Sequence, residues 1–247
     1  MKAILCKQVS FKYPDGTTAV NCIDLAVDKG EKVGIIGPNG AGKSTLLTLL
    51  NGVNQPLGDL YINGILVNPK TVKSIRAVVG IAFQNPDDQL FCPTIFDDVA
   101  FGPLNYGLDK SQVEHRVQKA LMEVGLENYQ DRSSIHLSFG ERKLASIAAV
   151  ISMSPEIVAM DEPTGNLDAF HRRKMIQWIQ NTNRTCIITS HDLDMIIETC
   201  SRVVIMDKGK IAANDKAEKI LKDFNLLTDH YLEPPFQFQT QSQGGKS

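Results

Sequence analysis

Long apolar runs are missing from the sequence. No window approaches the roughly 18 consecutive apolar residues that a membrane-crossing helix needs, and the opening Met-Lys-Ala-Ile-Leu-Cys-Lys returns to charge too early for a secretory leader. The chain is therefore expected to remain in the cytosol. Basic clusters are missing too: with 26 Lys and Arg against 28 Asp and Glu, a formal net charge of -2 and a pI near 6.2, the footprint of a general nucleic-acid binder is absent. Cys6, Cys22, Cys92, Cys186 and Cys200 are odd in number and include no Cys-x-x-Cys pair. That argues against a disulfide framework or zinc site and for small core residues. His115, His136, His171 and His230 lack metal-ligand spacing and read as surface or packing residues. No internal repeat is visible. A 247-residue chain with 43% apolar and 22% charged residues suits a soluble globular protein, either one large domain or a core with a smaller satellite.

What is present is dominated by Gly37-Pro38-Asn39-Gly40-Ala41-Gly42-Lys43-Ser44-Thr45, between Val33-Gly34-Ile35-Ile36 and Leu46-Leu47-Thr48-Leu49-Leu50. It reads as strand, loop and helix, the context in which Gly-x-x-x-x-Gly-Lys-Ser forms a phosphate cradle. Gly37, Gly40 and Gly42 let successive backbone N–H groups turn inward, and the helix N-terminus adds unpaired donors with partial positive charge. Lys43 is placed to reach the β- and γ-phosphates of a nucleotide, and the Ser44 hydroxyl is the expected ligand of Mg²⁺. An ordinary glycine-rich turn is the competing reading, and the Lys-Ser register between correct flanks speaks against it.

Around this unit, Val9, Phe11 and Tyr13, then Ile23, Leu25 and Val27, alternate on either side of Pro14-Asp15-Gly16 and predict a strand pair with one buried face. Asn63-Gly64 between two apolar segments predicts a hairpin. Buried strands are expected at 78–83, 157–160 and 186–189, with another hairpin around Lys208-Gly209-Lys210. Between about 86 and 153 the spacing turns helical: Val113, Val117, Ala120, Leu121 and Val124 share one face over 111–124, and Gly140 precedes a small apolar helix over 144–153 that Pro155 stops. The expected class is α/β, with core and antiparallel strands in 1–85 and 154–224 and a helical subdomain over about 86–153. Pro234-Pro235 and the Gln/Ser/Gly/Lys ending make 225–247 read as a partly disordered tail.

Ile157-Val158-Ala159-Met160 ends in Asp161-Glu162. On a buried strand these acids emerge at the carboxyl end, the edge where open α/β sheets bind ligands. Asp161 is placed to hold Mg²⁺ through water opposite Ser44, and Glu162 to orient or deprotonate an attacking water. The continuation Asp161-Glu-Pro-Thr-Gly-Asn-Leu-Asp168, with Leu137-Ser-Phe-Gly-Glu141 before it and Ser190-His191-Asp192 after it, resembles the nucleotide-binding subunits of ABC transporters over about residues 2–222. The resemblance implies a P-loop NTPase core with a mainly parallel sheet, an antiparallel β subdomain and a helical insert, acting as a Mg-dependent ATPase. It further implies that Tyr13 stacks on adenine, that Gln84 touches Mg²⁺ and the attacking water, that His191 contacts the γ-phosphate, and that Asp168 meets a second subunit. ATP in this family sits between two cassettes, so Ser138 and Gly140 of one would cap the nucleotide held by the other. Phe139 and Glu141 depart from the usual Leu-Ser-Gly-Gly-Gln, which bears on how tightly that dimer closes.

Phe83-Gln84-Asn-Pro-Asp-Asp-Gln-Leu-Phe91, Asp97-Asp98-Val-Ala-Phe-Gly-Pro103 and His136-Leu-Ser-Phe-Gly-Glu-Arg142 resemble the energy-coupling-factor group, which powers uptake of cobalt, nickel and vitamins. This implies a peripheral protein on the cytoplasmic face of the cell membrane. Its partners would be a second ATPase subunit (identical or a similar paralogue), a transmembrane coupling protein and a substrate-binding membrane component, with no nucleic acid. Thr164-Gly-Asn-Leu-Asp168 is also common in lipoprotein-release and macrolide-export ATPases, and a soluble ABC protein of the iron–sulfur type shares the architecture. A cassette that binds nucleotide without turnover would not need Lys43, Glu162 and His191 together. Leu90 and Phe91, beside Asp87 and Asp88, either receive an amphipathic helix from the membrane partner or anchor the insert to the core.

Overall fold

The computed structural model describes residues 1–243. Alternating apolar residues build antiparallel strands β1 (Lys2–Lys12) and β2 (Thr18–Asp28). Strand β3 (Lys32–Ile36) feeds helix α1 (Lys43–Leu50) through the glycine loop. Strands β4 (Leu57–Ile62) and β5 (Ile65–Leu66) form the Asn63-Gly64 hairpin and complete an antiparallel sheet in the order β2-β1-β4-β5. Helix α2 (Val72–Val78) runs straight into β6 (Val79–Ala82), so the strand expected over 78–83 is shorter at both ends. Helices α3 (Ile95–Asn105), α4 (Lys110–Val124) and α5 (Phe139–Ile151) follow, then β7 (Ile157–Asp161), α6 (Ala169–Asn181), β8 (Thr185–Thr189), α7 (Leu193–Thr199), β9 (Arg202–Asp207) and β10 (Lys210–Lys216). The chain continues through α8 (Ala217–Leu221), α9 (Phe224–Asp229) and α10 (Phe236–Gln243). The second sheet has the order β10-β9-β3-β8-β7-β6, antiparallel only at β10.

Side-chain alternation divides this sheet between two cores. Val33 and Ile35, Ile157 and Ala159, Ile187, and Val204 and Met206 pack with β1, β2, β4, α1 and α2. Ile36, Val158 and Met160, Cys186 and Ile188, and Val203 and Ile205 pack instead against α3 to α9. Every strand of the parallel set is therefore apolar on both faces, which is why each reads as a continuous apolar run. In α4 the five residues expected on one face are the five that are buried, and Asp109 caps the helix reciprocally with Gln112.

Three expectations need correction. The tail expected from 225 carries α9 and α10, and Leu227 and Leu232 are buried in the second core; apolar anchors at these two sites outweigh the polar composition around them. The last part of that expectation, residues 244–247, lies outside the described residues. Helix α5 starts at Phe139, so Gly140 sits inside its first turn rather than before it, because Ser138 and Glu141 form a capping box. Leu90 and Phe91 do not act as a pair: Leu90 is buried, whereas Phe91 is 64% exposed. Of the cysteines, Cys6, Cys186 and Cys200 are core residues, while Cys92 is half-buried and Cys22 exposed. Among the described residues no helix is long and apolar enough to cross a membrane.

Candidate active site

Strand register gathers the candidate residues at one edge. Ile36 lies beside Ile205, Ile35 and Asp161 both lie beside Thr189, and Ala82 lies beside Met160. The residues that follow those strand ends consequently emerge together at the carboxyl edge. Tyr13, Asn39, Gly40, Ala41, Gly42, Lys43, Ser44, Thr45, Gln84, Asp161, Glu162 and His191 line one cleft of about 520 Å³. Gly37 and Pro38 lie at the base of the loop, where their carbonyls accept from Lys43 Nζ at 2.7 and 3.0 Å. Ser138 and Gly140 do not line the cleft. A larger cavity of about 780 Å³, beside Glu156, Ile157, Trp178 and Thr185, opens at the opposite edge of the sheet and contains none of these residues.

The loop conformation demands glycine at two positions. Gly37 has φ +147° and a side-chain carbon there would lie 2.0 Å from the Met206 carbonyl oxygen; at Gly42, with φ +97°, it would lie 2.0 Å from the Ala19 carbonyl oxygen. Strands β9 and β2 thus press on the loop from two sides. Burial holds the Lys43 ammonium below its ordinary pKa, partly offset by the charges of Glu162 and Asp161. Tyr13, packed edge-on against Phe11, shares a 2.9 Å hydrogen bond between its hydroxyl and that of Thr45.

The acids have different surroundings. Asp161 Oδ1 accepts from the Thr189 hydroxyl. Glu162 adopts φ +47°, a costly conformation for a long side chain, fixed by its N–H donating to Thr189 O at 3.0 Å. Its Oε2 accepts from the Ser190 hydroxyl at 3.2 Å and from the His191 N–H at 3.3 Å. Its Oε1 is buried, has no hydrogen-bond partner, and lies 3.7 Å from His191 Nε2. Burial raises the Glu162 pKa, opposed by the His191 N–H, the His191 ring, Ser190 and Lys43. His191 Nε2 also lies 3.0 Å from Asn39 Oδ1, a contact that places the ring proton on Nε2. An acceptor of raised basicity beside a donor is suited to taking a proton from a bound water.

Among the described residues no three His, Cys, Asp or Glu side chains come together to hold a metal unaided. Ser44, Asp161 and Gln84 supply hydroxyl, carboxylate and amide oxygens, the hard donors Mg²⁺ takes when phosphate and water complete its shell. The unpartnered, buried Glu162 Oε1 beside them fits a site that orders water.

Sequence reasoning missed the braces behind the site. Arg172 donates to both carboxylate oxygens of Asp192 at 2.7 and 2.9 Å, and Thr164 adds a third bond at 3.1 Å, tying the loop after Glu162 to the turn carrying His191. His171, read as a surface or packing residue, contacts Asp168 at 2.7 Å and covers Gly140 so closely that a side-chain carbon there would lie 2.4 Å from its ring. The Asp168 loop and the first turn of α5 are thereby joined within one chain. The available signal was the i, i+3 spacing of Asp168 and His171 at a helix start.

A family profile described as ABC transporter matches residues 20–165. An energy-coupling factor transporter ATP-binding protein, EcfA, of Methanocaldococcus jannaschii is 40% identical over 95% of this chain and 86% of that protein. The structure of cbiO1 from Clostridium perfringens, part of the ABC transporter complex cbiONQ, matches with a TM-score of 0.83 and 29% identity, covering 98% of this chain and 99% of that one. A dimeric ATP-binding cassette in a post-hydrolysis state, bound to ADP and Pi, matches with a TM-score of 0.78 and 25% identity over 87% of this chain and 98% of that one.

Proposed function

This chain belongs to the ABC transporter family of ATP-binding proteins, and from that membership we propose that it binds and hydrolyses Mg²⁺-ATP to power an energy-coupling-factor transporter taking up cobalt, nickel or a vitamin. The observation that carries the catalytic part is Glu162, strained, buried and unpartnered at one carboxylate oxygen beside His191. The likeness to EcfA and cbiO1 supports the transport branch.

Lys43, held by two neutral carbonyls, gains an anionic partner when phosphates enter the glycine loop. Tyr13 offers a ring face to the adenine, and Ser44, Gln84 and Asp161 would hold Mg²⁺, which supplies charge neutralisation on the phosphates. Glu162 accepts the proton of the attacking water, and the His191 Nε2–H, held on Asn39 Oδ1 in the free chain, turns from it to donate toward the γ-phosphate. Ser138 Oγ accepts from the Glu141 N–H at 3.2 Å, which leaves its own O–H free to donate outward. That donor, with the neighbouring Gly140 backbone, would complete the site of a second ATPase subunit, either another copy or a similar paralogue. The groove of about 310 Å³ between Arg76, Asp88, Phe91, Phe101 and Met153 suits an amphipathic helix from a transmembrane coupling protein. A substrate-binding membrane component would complete the assembly at the cytoplasmic face of the cell membrane.

The test is Glu162→Gln. The variant is expected to bind ATP, accumulate as an ATP-bound dimer by size-exclusion chromatography and lose hydrolysis by at least about 100-fold, the usual scale of general-base catalysis. Turnover at the wild-type rate would refute the assignment.

A further inference from the structure

Among the described residues Lys143 is the largest fully buried charged side chain, 1% exposed, on the first turns of α5. Its ammonium faces no carboxylate at hydrogen-bond distance. It donates instead to three backbone carbonyls: Phe83 at 2.9 Å, Gln84 at 2.6 Å and Asp161 at 3.4 Å. Three N–H donors therefore meet three acceptors, which satisfies the group without neutralising it. The choice of acceptors is informative. Phe83 and Gln84 follow the end of β6, and Asp161 closes β7 immediately before Glu162. One side chain thus grips the backbone of a metal-facing residue and of the residue preceding the water-facing acid. Its neighbour Arg142 reinforces the grip through an ion pair with Asp87 at 3.0 Å on the same loop. Both cations sit on the helix that begins with Ser138 and Gly140.

We propose that Lys143 is a positioning residue, which sets Gln84 and Glu162 for hydrolysis according to the position of α5, so that a second subunit engaging the Ser138 end of this helix is sensed in the chain's own site. The proposal rests on reading the cleft as an ATPase site. A neutral side chain at 143 would release three carbonyls, and the loop after β6 and the turn at Asp161 would no longer move with the helix. Phosphate binding by Lys43 and the glycine loop uses none of these contacts, so affinity for the nucleotide and the rate of turnover should separate.

The experiment uses the full-length protein with Lys143→Met and Lys143→Gln. Melting curves establish folding, ATP affinity is measured by titration, and kcat and KM are measured by steady-state hydrolysis. In the folded variants ATP affinity is expected within about threefold of wild type while kcat falls at least about tenfold. A folded variant with kcat within about twofold of wild type, or one whose ATP affinity falls as steeply as its kcat, overturns the proposal. If neither variant folds, Lys143→Arg decides, since a planar guanidinium cannot meet the three carbonyls as the ammonium does: kcat within about twofold of wild type overturns the proposal. A wild-type chain that binds ATP and never turns it over overturns the ATPase reading and this assignment with it. An active wild type with equally active variants overturns this assignment alone.

Discussion

Gly40→Ala and Gly42→Ala separate two reasons for glycine in the phosphate loop. Both positions have positive φ, +77° and +97°, so both substitutions force an L side chain into a disfavoured backbone region, at about 1–2 kcal/mol. At Gly40 a side-chain carbon meets nothing within 4 Å. At Gly42 it would sit 2.0 Å from the Ala19 carbonyl oxygen. That oxygen belongs to β2, which is paired along its length with β1 and cannot retreat cheaply. The overlap adds about 1–3 kcal/mol, the usual cost of overpacking. Gly40→Ala should then lower the melting temperature by about 2–8 °C and Gly42→Ala by about 4–20 °C, at about 2–4 °C per kcal/mol for a chain of this size. Scanning calorimetry without nucleotide is the assay, because it excludes any direct clash with phosphate. Gly42→Ala melting within about a degree of Gly40→Ala, or above it, would refute the claim that β2 dictates the residue at 42.

Four further outcomes follow from particular contacts. Burial raises the Glu162 pKa, so the acid limb of kcat/KM should lie above the ordinary carboxylate range, with activity rising as the carboxylate forms; a limb at the usual carboxylate value would contradict the geometry. For stability the sign is opposite: a carboxyl whose folded pKa is raised stabilises the fold below its unfolded value and loses that contribution as pH rises through the folded one, so Glu162→Gln should flatten this part of the stability profile. Leu227→Ala, at a fully buried site in α9, should cost about 2–5 kcal/mol in urea denaturation, and an unchanged midpoint would return the tail to the status of a loose appendage. Phe91→Ala, at an exposed ring 5.1 Å from that of Phe101, should leave the ATPase of the free protein within about twofold while reducing its retention on membranes carrying the partner proteins; equal retention would remove this groove from the interface.

The fold class and the cleft were largely legible because their signals are local. Val113, Val117, Ala120, Leu121 and Val124 announce a helix face by spacing alone, and the glycine loop, Asp161-Glu162 and His191 each follow an apolar run that had to be a strand. Helix α2 escaped because Val72–Val78 runs without a break into β-branched residues that read as strand. The start of α5 was misplaced because Gly140 lowers helix propensity there, although Ser138 and Glu141 spell a capping box. Leu227 and Leu232 are too far apart, and too close to Pro234-Pro235, to show a period. The Asp168–His171 contact had its i, i+3 spacing as a signal, whereas Lys143 and Arg172 were illegible in principle. Their partners lie across the fold or in loops, and nothing in a run of neighbours shows which carbonyl or carboxylate a side chain will meet.

The central sheet can be viewed as a bulkhead. The phosphate-loop helix is fastened to one side of it with the antiparallel strands, and the three-helix insert to the other. In the proposed assembly, a load applied to the insert by a membrane partner would therefore not press on the phosphate grip through the hydrophobic layers. It would travel around the rim, where the strand ends carry Gln84, Glu162 and His191. Such a wall lets one compartment be pulled while the other keeps hold of its cargo.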